Sequence, residues 1–190
     1  MKITMNIPSA STRHLATLFA TLALVTSSAS AADWFTVQSN DKKLTVMFPN
    51  KAETFETVTS ATPAGSVATE VVKHMGDGIM LTISDSPLPG LAVAFASKER
   101  ILKGGADGVI SQAFGKEISS EKTTIGGADA MILTYESADF EKADHPGYNG
   151  LAVILYKDGH LYIINSVITK ENAENKAIQE RLLSSIKVGG

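Results

Sequence analysis

Asp139, Glu141, Asp144 and His145 place three carboxylates and an imidazole within seven positions of the chain. Hard and borderline divalent cations take oxygen and imidazole ligands, so this group is the metal candidate of the sequence. The spacing matches no known ligand loop, and charges beside Pro146 and Gly147 are ordinarily a solvated turn, which is the competing reading. Acyl-transfer chemistry has its ingredients in composition only. His74 falls in a strand pattern and His160 beside a turn, and no serine occupies the G-x-S-x-G elbow that exposes a nucleophile. No catalytic residue is assigned. The pairs Gly104–Gly105 and Gly126–Gly127 match neither a P-loop nor a dinucleotide fingerprint, so turns and kinks account for them better than phosphate binding. Trp34, Phe35, Tyr135, Tyr148, Tyr156 and Tyr162 offer material for a ligand groove, although aromatics on strands are ordinarily core. No cofactor is expected.

The elements that must position these residues follow from periodicity. Residues 34–38 and 43–48 read as strands, the second alternating Leu44, Val46, Phe48 against polar neighbours. Residues 59–66 read as a polar connection. Residues 67–75 and 79–84 form a hairpin through Gly76, Asp77 and Gly78. From 91 to 114 the period changes to helical, with a kink or break expected at Gly104–Gly105, since each helical glycine costs roughly 1 kcal/mol relative to alanine. Gly115 is placed to end that region in the left-handed conformation. Strands at 116–125 and 128–137 flank Gly126–Gly127. Those at 151–156 and 161–168, apolar on both faces, flank the Lys157–His160 turn. A closing helix over 171–186 carries Ile178, Leu182 and Ile186 as a stripe, with Thr169 as its N-cap. Tight turns favour antiparallel neighbours. The expectation is an α+β fold: a predominantly antiparallel sheet with a central helical region and a C-terminal helix packed on it.

The leader sets the compartment. Lys2 and Arg13 precede an eleven-residue apolar run at 15–25 and the small-residue tract 26–32, the pattern of a cleavable secretory signal. As a helix the run rises only about 16 Å, too short for a bilayer. Cleavage is expected after Ala31 or Ala32, leaving 33–190 as a single domain, periplasmic or secreted, with no membrane anchor. A chain of about 159 residues buries roughly 70% of its extended surface on folding. There is no cysteine, which excludes disulfides, a thiol nucleophile and a lipid-bearing cysteine. Without the leader's two cations, 15 Lys plus Arg stand against 20 Asp plus Glu. Scattered cations on a net negative chain argue against nucleic acid as a partner.

The strand ending Phe48–Pro49, the strand after Gly126–Gly127, the segment GYNGLAVILYKDGHLYIINSV and the closing ENKAIQERLLSSIKV occur together in order. In this layout the region 34–188 resembles the PsbP-like proteins, a group that includes DcrB-like envelope proteins. The resemblance implies an α/β/α sandwich around an antiparallel sheet and a non-enzymatic accessory role, with no catalytic residues to carry over. Two departures stand out: no cysteine follows the leader, and 126–130 reads GGADA without a proline. The reading favoured by the sequence is an exported, soluble accessory protein that binds an envelope protein partner. The alternative is a small-molecule or metal-ion carrier using a cleft between the 91–114 region and the sheet, opened by the Gly104–Gly105 break. Nothing in the sequence sets the oligomeric state.

Overall fold

Three two-residue turns set the register of most of the chain. Gly76 pairs with Ile79, Ile125 with Ala128 and Lys157 with His160, leaving Asp77–Gly78, Gly126–Gly127 and Asp158–Gly159 at the tips. The last two turns have positive φ at both positions, the backbone twist that suits a right-handed hairpin. The computed structural model describes residues 33–50, 54–62, 65–137 and 148–189. The leader at 1–32 therefore lies outside the described residues.

Strands β1 (Trp34–Gln38), β2 (Leu44–Pro49), β3 (Thr54–Thr62), β4 (Gly65–Gly76) and β5 (Ile79–Pro87) come first. Helices α1 (Gly90–Phe95) and α2 (Lys98–Gln112) follow, then β6 (Gly115–Ile125), β7 (Ala128–Ser137), β8 (Asn149–Lys157) and β9 (His160–Ile168). Helix α3 (Ala173–Ser184) and the short β10 (Lys187–Val188) close the chain. A seven-stranded sheet has the order β3-β4-β5-β9-β8-β7-β6, and a three-stranded sheet the order β1-β2-β10. Every pairing among the described residues is antiparallel. This is the expected α+β architecture. Edge strand β6 is exposed along most of its length and carries Lys116, Glu117, Glu121 and Lys122, charges that discourage pairing with another chain.

Two apolar layers sandwich the large sheet. On one face Leu102, Ala106 and Val109 of α2, with Ala113 at its C-cap, pack on Met131, Leu133, Ala152, Ile154 and Val167. On the other, Leu182 of α3 and Val37, Leu44, Val46 and Phe48 of the small sheet pack on Leu81, Ile83, Leu155, Tyr162 and Ile164. The apolar character of β8 on both faces follows from this double cover.

The structure corrects four local expectations. Helix α2 runs unbroken through Gly104 and Gly105. A Cβ on Gly105 would sit 2.8 Å from Ile154 Cγ2 and 3.4 Å from the Leu161 methyls, so the glycine lets helix and sheet approach closely. The interruption instead falls at Ala96–Ser97, where the Ser97 hydroxyl accepts the Arg100 N–H as N-cap. Residues 59–62 and 65–66 are strand, since β3 and β4 pair from Thr54↔Lys73 to Thr62↔Gly65. The left-handed residue after α2 is Phe114, at φ +47. Gly115 is needed one step later, where a Cβ would lie 2.9 Å from the Glu136 carbonyl. Finally, α3 is capped by Asn172, whose side chain accepts the Asn175 N–H, rather than by Thr169.

Candidate functional site

The period of two along β5 puts Ile79, Leu81, Ile83 and Asp85 on one face, all buried. The fourth position of this row is a carboxylate where the first three are apolar. Across the ladder Asp85 faces Tyr162, and Pro87 faces His160, so Asp85, Tyr162 and His160 cluster at one end of the sheet on a shared face. The turn between β1 and β2 lays Asp41 over them. His160 Nδ1 lies 2.7 Å from Asp85 Oδ1 and 3.8 Å from Asp41 Oδ2. The imidazole stacks on the Tyr162 ring, with centroids 5.7 Å apart and planes 15° apart.

Asp41 is the best-supported member of the cluster. Its Oδ1 accepts from the Ser39 hydroxyl at 2.6 Å and the Lys43 N–H at 3.0 Å, and its Oδ2 accepts from the Tyr162 hydroxyl at 2.5 Å. Burial alone would raise the Asp41 pKa. The hydrogen bonds from Ser39, Tyr162 and Lys43, with the His160 charge, outweigh burial and hold the carboxyl below its ordinary value. Burial, then the Asp41 hydrogen bond and charge, push the Tyr162 phenol far above its usual range. Beside the cluster opens a cleft of about 270 Å³ lined by Asn40, Thr57, Ala68, Glu70 and Pro87. Glu70 faces Asp85 across the β4–β5 ladder and accepts from Asn40 Nδ2 at 2.7 Å.

A second feature surrounds α1, a six-residue helix with no buried residue. Leu91 and Phe95 stand four positions apart, hence on one face, at 65% and 82% exposure. The segment leading into α1 is tied to the β8–β9 turn: the Leu88 N–H donates to the Gly159 carbonyl at 2.8 Å. Val93, Lys98, Gly127, Asp129 and residues 156–159 line an open cleft of about 460 Å³ here, crossed by a Lys98–Asp129 ion pair at 2.8 Å. This cleft lies at the start of the helical region, away from Gly104–Gly105.

Asp139, Glu141, Asp144 and His145 lie outside the described residues. His74 is buried in β4, with its ring 6.2 Å from that of Phe48. Of the aromatic groove candidates, Tyr135, Tyr156 and Tyr162 are buried core, and the Trp34 ring is covered by the Arg181 guanidinium at 4.2 Å. The Asp41–Asp85–His160 cluster went unread in the sequence, because its members come from three distant segments. The available signal was Asp85, a carboxylate continuing an in-facing apolar row.

No family model matches the chain, and no curated protein matches it. Among solved structures it is similar to cyanobacterial PsbP from Synechocystis sp. PCC 6803, at 15% identity and a TM-score of 0.55, over 85% of this chain and 95% of that one. It is also aligned with a Pseudomonas aeruginosa protein of unknown function, at 10% identity and a TM-score of 0.38, over 80% and 91% of the two chains. The first likeness establishes a PsbP-like fold; nothing in it is particular to the DcrB-like branch.

Proposed function

We propose that this chain is an exported, non-catalytic accessory protein of the cell envelope that acts by docking on another protein through α1. The observation that carries this reading is the Leu91–Phe95 pair, held in solvent on a helix that contributes nothing buried to the core. Burying a leucine or phenylalanine is worth about 1.5–3 kcal/mol each. A partner that covers this helix face would recover that energy, which is what supports a contact site here.

A non-catalytic role is what the likeness to the PsbP-like fold suggests. Export is supported by the leader pattern at 1–32. Among the described residues no helix is long and apolar enough to cross a membrane.

The test is retention from native envelope extract on the immobilised protein, comparing wild type with the Leu91→Asp/Phe95→Asp double variant. One partner held in stoichiometric amount by wild type and lost by the folded double variant is expected. Equal retention by both contradicts docking through α1. A carrier role is the second reading, favoured by the 460 Å³ cleft beside α1. It predicts a small molecule that copurifies with the protein and is displaced by Lys98→Ala.

A further inference from the structure

We infer that Asp41, Asp85 and His160 form a binding site for one divalent transition cation, Zn²⁺ being the best match, independently of how α1 is used. Two carboxylates and an imidazole are the oxygen and nitrogen donors that zinc accepts, and a three-ligand set leaves a further position open. Here that position faces the cleft shared with Asn40, Thr57 and Glu70.

The distances suit a common ion. One ligand atom from each residue lies within 4.8 Å of the others. Two atoms bound to one zinc at 2.0–2.2 Å are at most about 4.4 Å apart. Small side-chain rotations close that difference, and the 2.7 Å contact between His160 Nδ1 and Asp85 Oδ1 opens as the ion enters between them. Nδ1 binds as the neutral imidazole, and any proton it carries is released to solvent.

The surroundings call for positive charge. Glu70 and Asp85 stand directly opposite each other in the ladder, an arrangement that destabilises an antiparallel pair when both are ionised. Asp41 adds a third carboxylate beside them, and Asp158 lies near enough to act on Tyr162. The nearby cation Lys43 pairs with Asp158 at 3.1 Å. A supporting shell is also in place. Ser39 and Tyr162 donate to the two Asp41 oxygens, and Tyr162 stacks against the imidazole, contacts of the kind that orient metal ligands.

Calorimetric titration of Zn²⁺ into the EDTA-stripped full chain tests the assignment, with His160→Gln and His145→Ala as variants checked for folding by circular dichroism. The expected result is one zinc per chain, bound at micromolar concentration or tighter. Affinity should fall by at least about tenfold in His160→Gln and stay unchanged in His145→Ala. Absence of zinc binding by the folded wild type, equal affinity in His160→Gln, or loss confined to His145→Ala each overturns it. A readout independent of any variant is paramagnetic broadening by Mn²⁺ in wild type. The His160 ring signals are expected to broaden at lower metal than those of His145, and the reverse order refutes the site.

Discussion

Tyr135 lies directly across the β7–β8 ladder from Gly150, and its ring fills the space a side chain at 150 would need. A Cβ there would fall 2.0 Å from the ring carbon Cζ. The Tyr135 hydroxyl passes over β8 to donate to Asn165 Oδ1 on β9 at 3.0 Å, so one side chain ties three adjacent strands. Gly150→Ala is expected to evict the ring and to cost at least the 1–3 kcal/mol of an overpacked core. Thermal unfolding should show a fall of several degrees; an unchanged midpoint would contradict this packing.

Neighbouring glycines in α2 should respond with opposite signs. Gly104 is exposed and a Cβ there meets nothing within 4 Å, so Gly104→Ala is expected to stabilise by about 0.5–1 kcal/mol through helix propensity. Gly105→Ala gains the same propensity but drives its methyl to 2.8 Å from Ile154 Cγ2, an atom of a fully buried β-branched residue. A net loss of about 1–3 kcal/mol is expected. Denaturant midpoints of the two variants shifting in the same direction would refute the close approach.

High pH should unfold the protein through its buried phenols. Burial pushes the Tyr135 hydroxyl up to about 12 and Tyr162 higher still. A phenol whose folded pKa exceeds its unfolded value contributes stability that is complete below about pH 10. That contribution is lost as pH rises from there through the folded pKa, because the unfolded chain ionises first. Ultraviolet titration is therefore expected to show these two of the four tyrosines ionising only above pH 10. All four titrating together near pH 10 in folded protein would contradict it.

What could be read ahead of the structure was what depends on neighbours in sequence. The hairpins at Gly78, Gly126–Gly127 and Asp158–Gly159 need only local turn chemistry and a period of two, and each appears where expected. Strand β3 was missed because TFETVTSAT offers few apolar residues, and its pairing with β4, not its own burial pattern, makes it a strand. Gly105 looked like a break because its reason for being glycine is Ile154, far along the chain. The same holds for the site. Asp41, Asp85 and His160 belong to three segments that meet only when β5 and β9 pair and the β1–β2 turn folds over them. The carboxylate group at 139–145 was conspicuous because its residues are adjacent in sequence.

The α1 surface should be separable from stability. Leu91 and Phe95 bury little, so Leu91→Asp/Phe95→Asp is expected to leave the free energy of unfolding within about 0.5 kcal/mol of wild type. A large loss would place these side chains in the fold itself.

The most direct test of docking through α1 places a photo-crosslinking amino acid at position 95 in the organism that makes the protein, with position 180 on α3 as the exposed control. Irradiation is expected to give one discrete adduct from position 95 and none from 180, and the adduct should vanish when Leu91→Asp is added. No adduct from position 95, or the same adduct from both positions, would contradict the account.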